Sequence, residues 1–252
     1  MVGTSEASEA KKSENDGRVV VSIATLGFDD SHRLIAYKVD TIANLGAYNS
    51  QAGHLIQTAF FSKVLPGVYD VQAVAIRAVG GYTSTTQVDA YRGAGRPEAI
   101  YVLERSLDHA AREMGVDPWA LRQRNFIKPD QFPYMSATGQ PYDVGDFERV
   151  LARVTSAADR DGFAQRRAVS AAAGKLRGIG LCYYIESILG DPSETSRVDF
   201  NTDGTVSIFV GTQSNGQGHE TVFAQFLADQ TGIPAGRISV VQGDSARPLL
   251  TA

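Results

Sequence analysis

Cys182 is the only cysteine among 252 residues. A lone thiol excludes an internal disulfide, and it excludes an iron-sulfur cluster held by this chain, since such clusters ordinarily take about four thiolates. A reducing compartment, the cytoplasm, is the expected location. The four histidines, His32, His54, His109 and His219, have no second histidine or cysteine three or four positions away, so no zinc constellation can be drawn. Basic charge is in short supply as well. The 24 Lys and Arg against 28 Asp and Glu give a formal charge of −4, which argues against a nucleic-acid partner bound through phosphate neutralisation. Long apolar runs are missing: the stretch around Val19-Val20-Val21 falls far short of the roughly 20 residues of a membrane span. Met1 to Gly17 is rich in Ser, Glu and Lys without the apolar centre of a secretory signal, and is expected to be a solvated tail.

Common nucleotide and hydrolase motifs are absent too. Gly93-Ala94-Gly95 runs on to Glu98, Gly178-Ile179-Gly180 to Tyr183, and Gly216-Gln217-Gly218 to Thr221, so each lacks the third glycine of the dinucleotide fingerprint. No Walker A sequence occurs. Ser214, in Gly211-Thr212-Gln213-Ser214-Asn215-Gly216, stands one residue out of register for a nucleophile elbow.

What is present is a pair of glycine-split polar loops. Ala90-Tyr91-Arg92-Gly93-Ala94-Gly95-Arg96 precedes a helical pattern opened by Pro97 and Glu98, with Ile100, Leu103, Leu107, Ala110 and Met114 at helical spacing and Gly115 as its stop. Such a loop offers backbone amides and two guanidinium groups at one point. Gln213 to Thr221 likewise feeds a helix carrying Phe223, Phe226 and Leu227, and free amides at a positive helix end suit an anionic group such as a phosphate. For both loops the plainer alternative stays open: a strand-to-helix turn with glycines for tight geometry, and arginines that are solvated surface charges.

The rest of the pattern is α+β. Extended chain is expected over Arg33 to Tyr48 and, after the Pro66-Gly67 turn, over Tyr69 to Val79, the two pairing in one sheet. Asp117 and Pro118 open a short helix, and Phe147, Val150, Leu151 and Val154 outline another. Residues 155–174, rich in Ala, Arg and Asp, read as a connector. Strands are then expected at Leu176 to Ile188, Ser196 to Asn201, Thr205 to Val210 and Ile238 to Gln242, with a hairpin turn at Thr202-Asp203-Gly204 and a helix over Thr221 to Thr231. The expected division is a leader and strand over 1–30, a first lobe over 31–154, the connector, and a second lobe over 175–252.

From about Ser31 to Asp244 the chain resembles the molybdenum-binding large subunit of the xanthine dehydrogenase and aerobic carbon monoxide dehydrogenase family. The resemblance rests on Asn44-Leu45-Gly46-Ala47-Tyr48, Pro66-Gly67-Val68-Tyr69, Ala90 to Ala99, Arg122-Gln123-Arg124-Asn125-Phe126 and Gly216 to Thr221. It implies two mixed α/β lobes of a molybdopterin-binding subunit, the second truncated. It makes Tyr91, Arg92, Gly93, Ala94, Gly95 and Arg96 an active-site loop, with Arg92 to Ala94 at the edge of the molybdenum through backbone groups and no direct side-chain ligand. The second loop, Gly216, Gln217, Gly218, His219 and Thr221, would hold the pterin and its phosphates, in a dinucleotide form of the cofactor. The missing protein ligands fit, because the pterin's dithiolene sulfurs hold the metal.

The same resemblance implies a molybdopterin-dependent hydroxylase that inserts water-derived oxygen into an aldehyde or heteroaromatic C–H. Its partners would be an iron-sulfur small subunit and an FAD-binding medium subunit. Gly93 stands where carbon monoxide dehydrogenases resembling this loop carry a copper-binding cysteine, and Ala94 where xanthine-type enzymes place a phenylalanine. The form II variant of the loop is the nearer match. The family's early phenylalanine-bearing glycine loop and its general-base glutamate have no counterpart here, which makes a partial subunit the expectation. Two alternatives remain: a noncatalytic molybdopterin-binding or assembly fragment, and an α/β domain for an organic anion.

Overall fold

In β2 (Val20–Phe28) the residues Val20, Ser22, Ala24, Leu26 and Phe28 turn inward and Val21 and Ile23 outward, the period of two that a half-buried strand requires. A computed structural model describes residues 2–6, 20–187 and 193–244. β2 pairs antiparallel with β1 (Val2–Glu6) on one side and with β3 (Leu34–Gly46) on the other, and β4 (Ala73–Tyr82) joins β3 in parallel. On the inner face Ser22 and Thr41 are buried polar residues whose hydroxyls satisfy each other at 2.9 Å. The parallel crossover from β3 to β4 carries a helical run, Gly53–Leu55 and Phe61–Val64, interrupted by a π-helical segment, Ile56–Phe60.

The covering layer is α1 (Arg96–Glu113) and α2 (Pro118–Asn125). Ala99, Val102, Leu103, Ser106, Leu107 and Ala111 form the buried stripe of α1, at steps of three and four. Leu103 and Leu107 are both fully buried, each worth about 1.5–3 kcal/mol of transfer free energy. α2 starts as its sequence demands, with Pro118 in the first turn and the Asp117 side chain accepting from the Ala120 N–H at 3.1 Å. Asp117 also pairs with Arg160 at 2.7 Å, on the surface. Asp117→Ala is therefore expected to cost about 1 kcal/mol in urea unfolding, and Asp117→Asn only a few tenths, because asparagine keeps the cap and an exposed ion pair contributes little.

The short pair β5 (Tyr134–Met135) and β6 (Pro141–Tyr142) and the helices α3 (Phe147–Ala157) and α4 (Phe163–Ala172) complete the first unit, which contacts define as Met1–Ser187. The second unit, Ile188–Ala252, holds β7 (Ser196–Phe200), β8 (Val206–Val210), α5 (His219–Thr231) and β9 (Ile238–Gln242). β8 is central, antiparallel to β7 and parallel to β9. Val206, Ile208, Ala224 and Ile238 make its small core. The chain is thus α+β in two mixed helix-and-sheet units.

Four expectations need correction. Within the supposed solvated tail, Val2–Glu6 is a strand, paired from Val2↔Gly27 to Glu6↔Ile23; the edge of β2 offers backbone partners that need no apolar side chains. Residues 7–19 lie outside the described residues. The strand expected from Tyr69 starts only at Ala73, since Val68, Tyr69 and Val71 are buried in the core and Tyr69 makes an isolated bridge to Phe126. No strand forms over 176–187, although Leu181, Tyr183 and Ile185 do turn inward alternately onto the core. Their period of two is real, but this segment has no neighbouring strand to pair with among the described residues; Ile188 lies outside them. The expected connector, 155–174, contains the end of α3 and all of α4, and the contact division falls after Ser187 because Tyr183 is anchored in the first core.

Candidate functional site

The first loop is approached through one of the motifs that carried the resemblance, Asn44 to Tyr48. Asn44, at the end of β3, accepts from the Gly46 N–H at 2.8 Å and from the Thr83 hydroxyl at 2.7 Å, and donates to the Thr85 hydroxyl at 2.9 Å. That fixes the segment leading into the loop. Val88 continues the tie through its N–H to Leu45 O, and its side chain is buried with Ile56 and Ala94 against Phe60. The loop therefore rests on the π-helical segment, a local geometry that often accompanies functional sites.

Gly95 and Arg96 are the tightest elements. Gly95 has φ +81°, and a Cβ there would lie 2.2 Å from Ile56 O and 2.8 Å from Phe61 N. Arg96 is 5% exposed. Its guanidinium donates to Ala94 O at 3.0 Å and to Ser187 O at 2.6 Å, lies 3.1 Å from a Glu186 carboxylate oxygen, and stacks 5.1 Å from the Phe60 ring centroid. It clamps the loop onto residues 186–187, so its charge is consumed inside the fold. Arg92 and Tyr91 are exposed, Gly93 is half-buried and Ala94 is buried. Of the two arginines expected to face a ligand, only Arg92 has a free approach.

Beneath α1 lies a buried polar knot. Glu104 accepts from the Tyr69 hydroxyl at 2.5 Å, from Arg122 Nε at 2.8 Å and from the Tyr183 N–H at 2.9 Å. Arg122, fully buried, also donates to Glu104 O and Pro118 O and pairs with Asp108 at 2.9 Å. Burial pushes Tyr69 well above the usual tyrosine range, with the Glu104 charge adding to it, and pushes Tyr183 up to about 12. Burial opposes the charge on Arg122, but Glu104 and the groups around it outweigh that and raise its pKa. Asn125 completes the same motif by accepting from the Leu34 N–H at 2.7 Å and donating to His32 O. Arg122 and Asn125 are thus scaffold for the sheet and the 181–187 segment.

The second loop leaves β8 and enters α5. Gln217 accepts from the Asn215 N–H at 2.5 Å and donates to Gln213 O at 3.1 Å, and Ser214 Oγ accepts from the Gly218 N–H at 3.3 Å. The loop amides of Gly216, Gln217, His219 and Glu220 have no acceptor among the described residues. Gly216 and Gly218 have positive φ with open space where a Cβ would stand. The His219 ring stacks on Phe223 at 5.0 Å and its buried Nδ1 lacks a partner among the described residues; Thr221 is exposed. Unspent donors at a positive helix end, under open space, fit a phosphate or a pterin edge. A groove of about 640 Å³ lined by Asp117, Trp119, Gln123, Glu148 and Arg160 contains no residue of either loop, and its Asp117 and Glu148 are already paired with Arg160 and Lys128.

Residues 4–126 and 153–250 each match the molybdopterin cofactor-binding domain. The chain belongs to that family. The carbon monoxide dehydrogenase large chain of Afipia carboxidovorans is 31% identical over 84% of this chain and 29% of that protein. The nicotine 6-hydroxylase large subunit of Paenarthrobacter nicotinovorans is 30% identical over 85% of this chain and 28% of that subunit. Quinoline 2-oxidoreductase from Pseudomonas putida 86 superposes with a TM-score of 0.81 at 28% identity, over 93% of this chain and 32% of that one. The chain therefore spans about 30% of the length of these relatives. Sequence reasoning missed Phe60, Glu186 and Ser187 as partners of Arg96; the Arg96–Ser187 bond joins residues 91 positions apart, and no periodic or motif signal reports such a contact.

Proposed function

We propose that this chain is the molybdopterin-holding part of a molybdenum hydroxylase that acts on heteroaromatic or aldehyde C–H bonds. The observation that carries the reading is the second loop at the start of α5, where the amides of Gly216, Gln217, His219 and Glu220 have no acceptor among the described residues and Gly216 and Gly218 border open space. Gly216, Gln217, Gly218, His219 and Thr221 would hold the pterin and its phosphates. Molybdopterin, when bound, supplies the metal and the two-electron redox chemistry by which water-derived oxygen enters a C–H bond. The chain's own share is orientation and charge. Arg92, exposed beside a clamped backbone, offers a cation to a negative group near the first loop, while Arg96 keeps that loop in one shape.

Relatives named for nicotine and quinoline favour a flat nitrogen heterocycle as substrate. Gly93 has no thiolate for copper, so carbon monoxide is not the proposed substrate, and Ala94 is too small and too buried to clamp an aromatic ring. Iron-sulfur and FAD-binding subunits would take the electrons, consistent with relatives named as large chains or large subunits. Among the described residues no helix is long and apolar enough to cross a membrane, and the cytoplasm is the proposed location.

Gly218→Ala tests the reading. Its methyl group would enter the open space over the loop and meet a φ of +78°, so stability should drop by only about 1–2 kcal/mol. Molybdopterin content, measured by fluorescence of the oxidised pterin in protein from a cofactor-producing host, should fall by about ten-fold or more, the loss of one strong contact. Unchanged content would remove the second loop from the cofactor site. Molybdenum bound without heterocycle- or aldehyde-dependent dye reduction by the parent subunit would favour a noncatalytic binding fragment, and anion binding without molybdenum an organic-anion domain.

A further inference from the structure

We infer that Gln242 is a positioning residue for the second loop, setting which of its amides face outward; the inference rests on the reading of that loop as a cofactor site. Gln242 ends β9, where it pairs across the sheet with Val210, the last residue of β8, from which the loop departs. Its side chain spans the two ends of the loop. Oε1 accepts from the Ser214 N–H at 2.8 Å, and Nε2 donates to the Glu220 carboxylate in the first turn of α5. The chemistry leaves one orientation. Ser214 presents a donor and Glu220 an acceptor, so the Gln242 amide satisfies both only with its oxygen toward Ser214 and its nitrogen toward Glu220.

The consequence passes along the loop. With its amide tied to Gln242, Ser214 is placed so that its hydroxyl accepts from the N–H of Gly218, the residue that caps α5. Gln217 takes up the Asn215 amide in the same way. Three donors are thereby consumed, that of Ser214 by Gln242 and those of Asn215 and Gly218 within the loop, and those of Gly216, Gln217, His219 and Glu220 are left without an acceptor among the described residues. Glu220 is held beside the helix start, where its charge would otherwise compete with an incoming anion for the same amides.

The test is an exchange of chemical roles in the full chain. Gln242→Leu removes both contacts, and Gln242→Glu keeps the acceptor but sets a carboxylate against Glu220. The double variant Gln242→Glu with Glu220→Gln restores one donor facing one carboxylate, while the carboxylate introduced on β9 still accepts from Ser214. Hydrogen exchange of the Ser214 amide is expected to accelerate about ten-fold, the loss of one hydrogen bond, in Gln242→Leu, which removes its acceptor, and in Gln242→Glu, where repulsion from Glu220 turns the new carboxylate away from it, and to return to within about two-fold of the parent in the double. Molybdopterin content should follow the same order. Unaltered Ser214 exchange in Gln242→Leu overturns the inference, as does a double variant no better than Gln242→Glu. Faster exchange with full molybdopterin content overturns it too, because the loop's order would then not matter to the cofactor. If the parent chain binds no molybdopterin, it is the cofactor reading that fails, and the exchange pattern alone decides whether Gln242 holds the loop.

Discussion

Arg122→Leu is expected to destabilise the chain by about 3–5 kcal/mol, measured by urea unfolding, the usual cost of leaving a buried charge without its partner. The side chain is fully buried and Glu104 nearly so, and leucine fills the volume while leaving a carboxylate facing apolar surroundings. Three further acceptors, Glu104 O, Pro118 O and Asp108, lose their donor at the same time. Arg122→Lys should fall between, at about 1–3 kcal/mol, since an ammonium keeps the charge but cannot reproduce the fork that reaches several acceptors. Against a typical total stability of about 5–15 kcal/mol, the leucine variant removes a large share. The effect is also directional. Glu104 holds the N–H of Tyr183, and the segment beyond Tyr183 ends at the Glu186 and Ser187 groups that hold Arg96. Loss of order at residues 181–187 should therefore accompany the stability loss, visible as faster exchange of the Tyr183 amide. An Arg122→Leu protein with parent stability would mean that the knot contributes nothing net.

Gly95→Ala should be as severe, by a different mechanism. The new methyl carbon would sit 2.2 Å from Ile56 O and 2.8 Å from Phe61 N, both backbone atoms of the helical run that cannot swing aside as a side chain would. The left-handed backbone at φ +81° adds strain of about 1–2 kcal/mol. The chain's way out is to lift the loop off the π-helical segment, which separates Ala94 from Ile56 and Phe60 and pulls Arg96 from its acceptors. A cost of about 4 kcal/mol or more is expected, at the exceptional end for one substitution. Gly93→Ala is the control: its Cβ meets only Pro97 ring carbons at 3.3 and 3.4 Å, so it carries backbone strain with little collision and should cost about 1–2 kcal/mol. Equal stability losses in the two variants, by urea unfolding, would show that backbone conformation and not the Ile56 contact dictates glycine at position 95.

Which parts of this were legible in the sequence depends on the range of the forces involved. α1, α2 and α3 were readable because capping by Asp117, Pro at a helix start, and the helical spacing of Ile100, Leu103, Leu107, Ala110 and Met114 are local and periodic signals. The hairpin of β7 and β8, turned at Thr202-Asp203-Gly204, was readable for the same reason, since Gly204 adopts the positive φ that the turn needs. The segment 176–187 misled because alternation reports only that one side faces apolar surroundings; whether a second strand lies alongside is a tertiary fact. The Val2–Glu6 strand escaped notice because backbone pairing at a sheet edge leaves no mark in side-chain hydrophobicity.

The sequence by itself determined the class: the glycine loops, the helix starts behind them and the motifs of the family are short-range patterns, and it is their resemblance to that family that implies molybdopterin. Only the tertiary structure decided what each residue does there. It turned Arg96 inward to bind Ser187 and Glu186 while leaving Arg92 exposed, and it buried Arg122 and Asn125 as scaffold. It also brought Gln242, from the end of another strand, onto Ser214 and Glu220. The physical reason is that an arginine or a glutamine carries the same donors wherever it stands. Which acceptors lie within hydrogen-bonding reach is fixed by chain segments far away in sequence, and local sequence has no means of recording them.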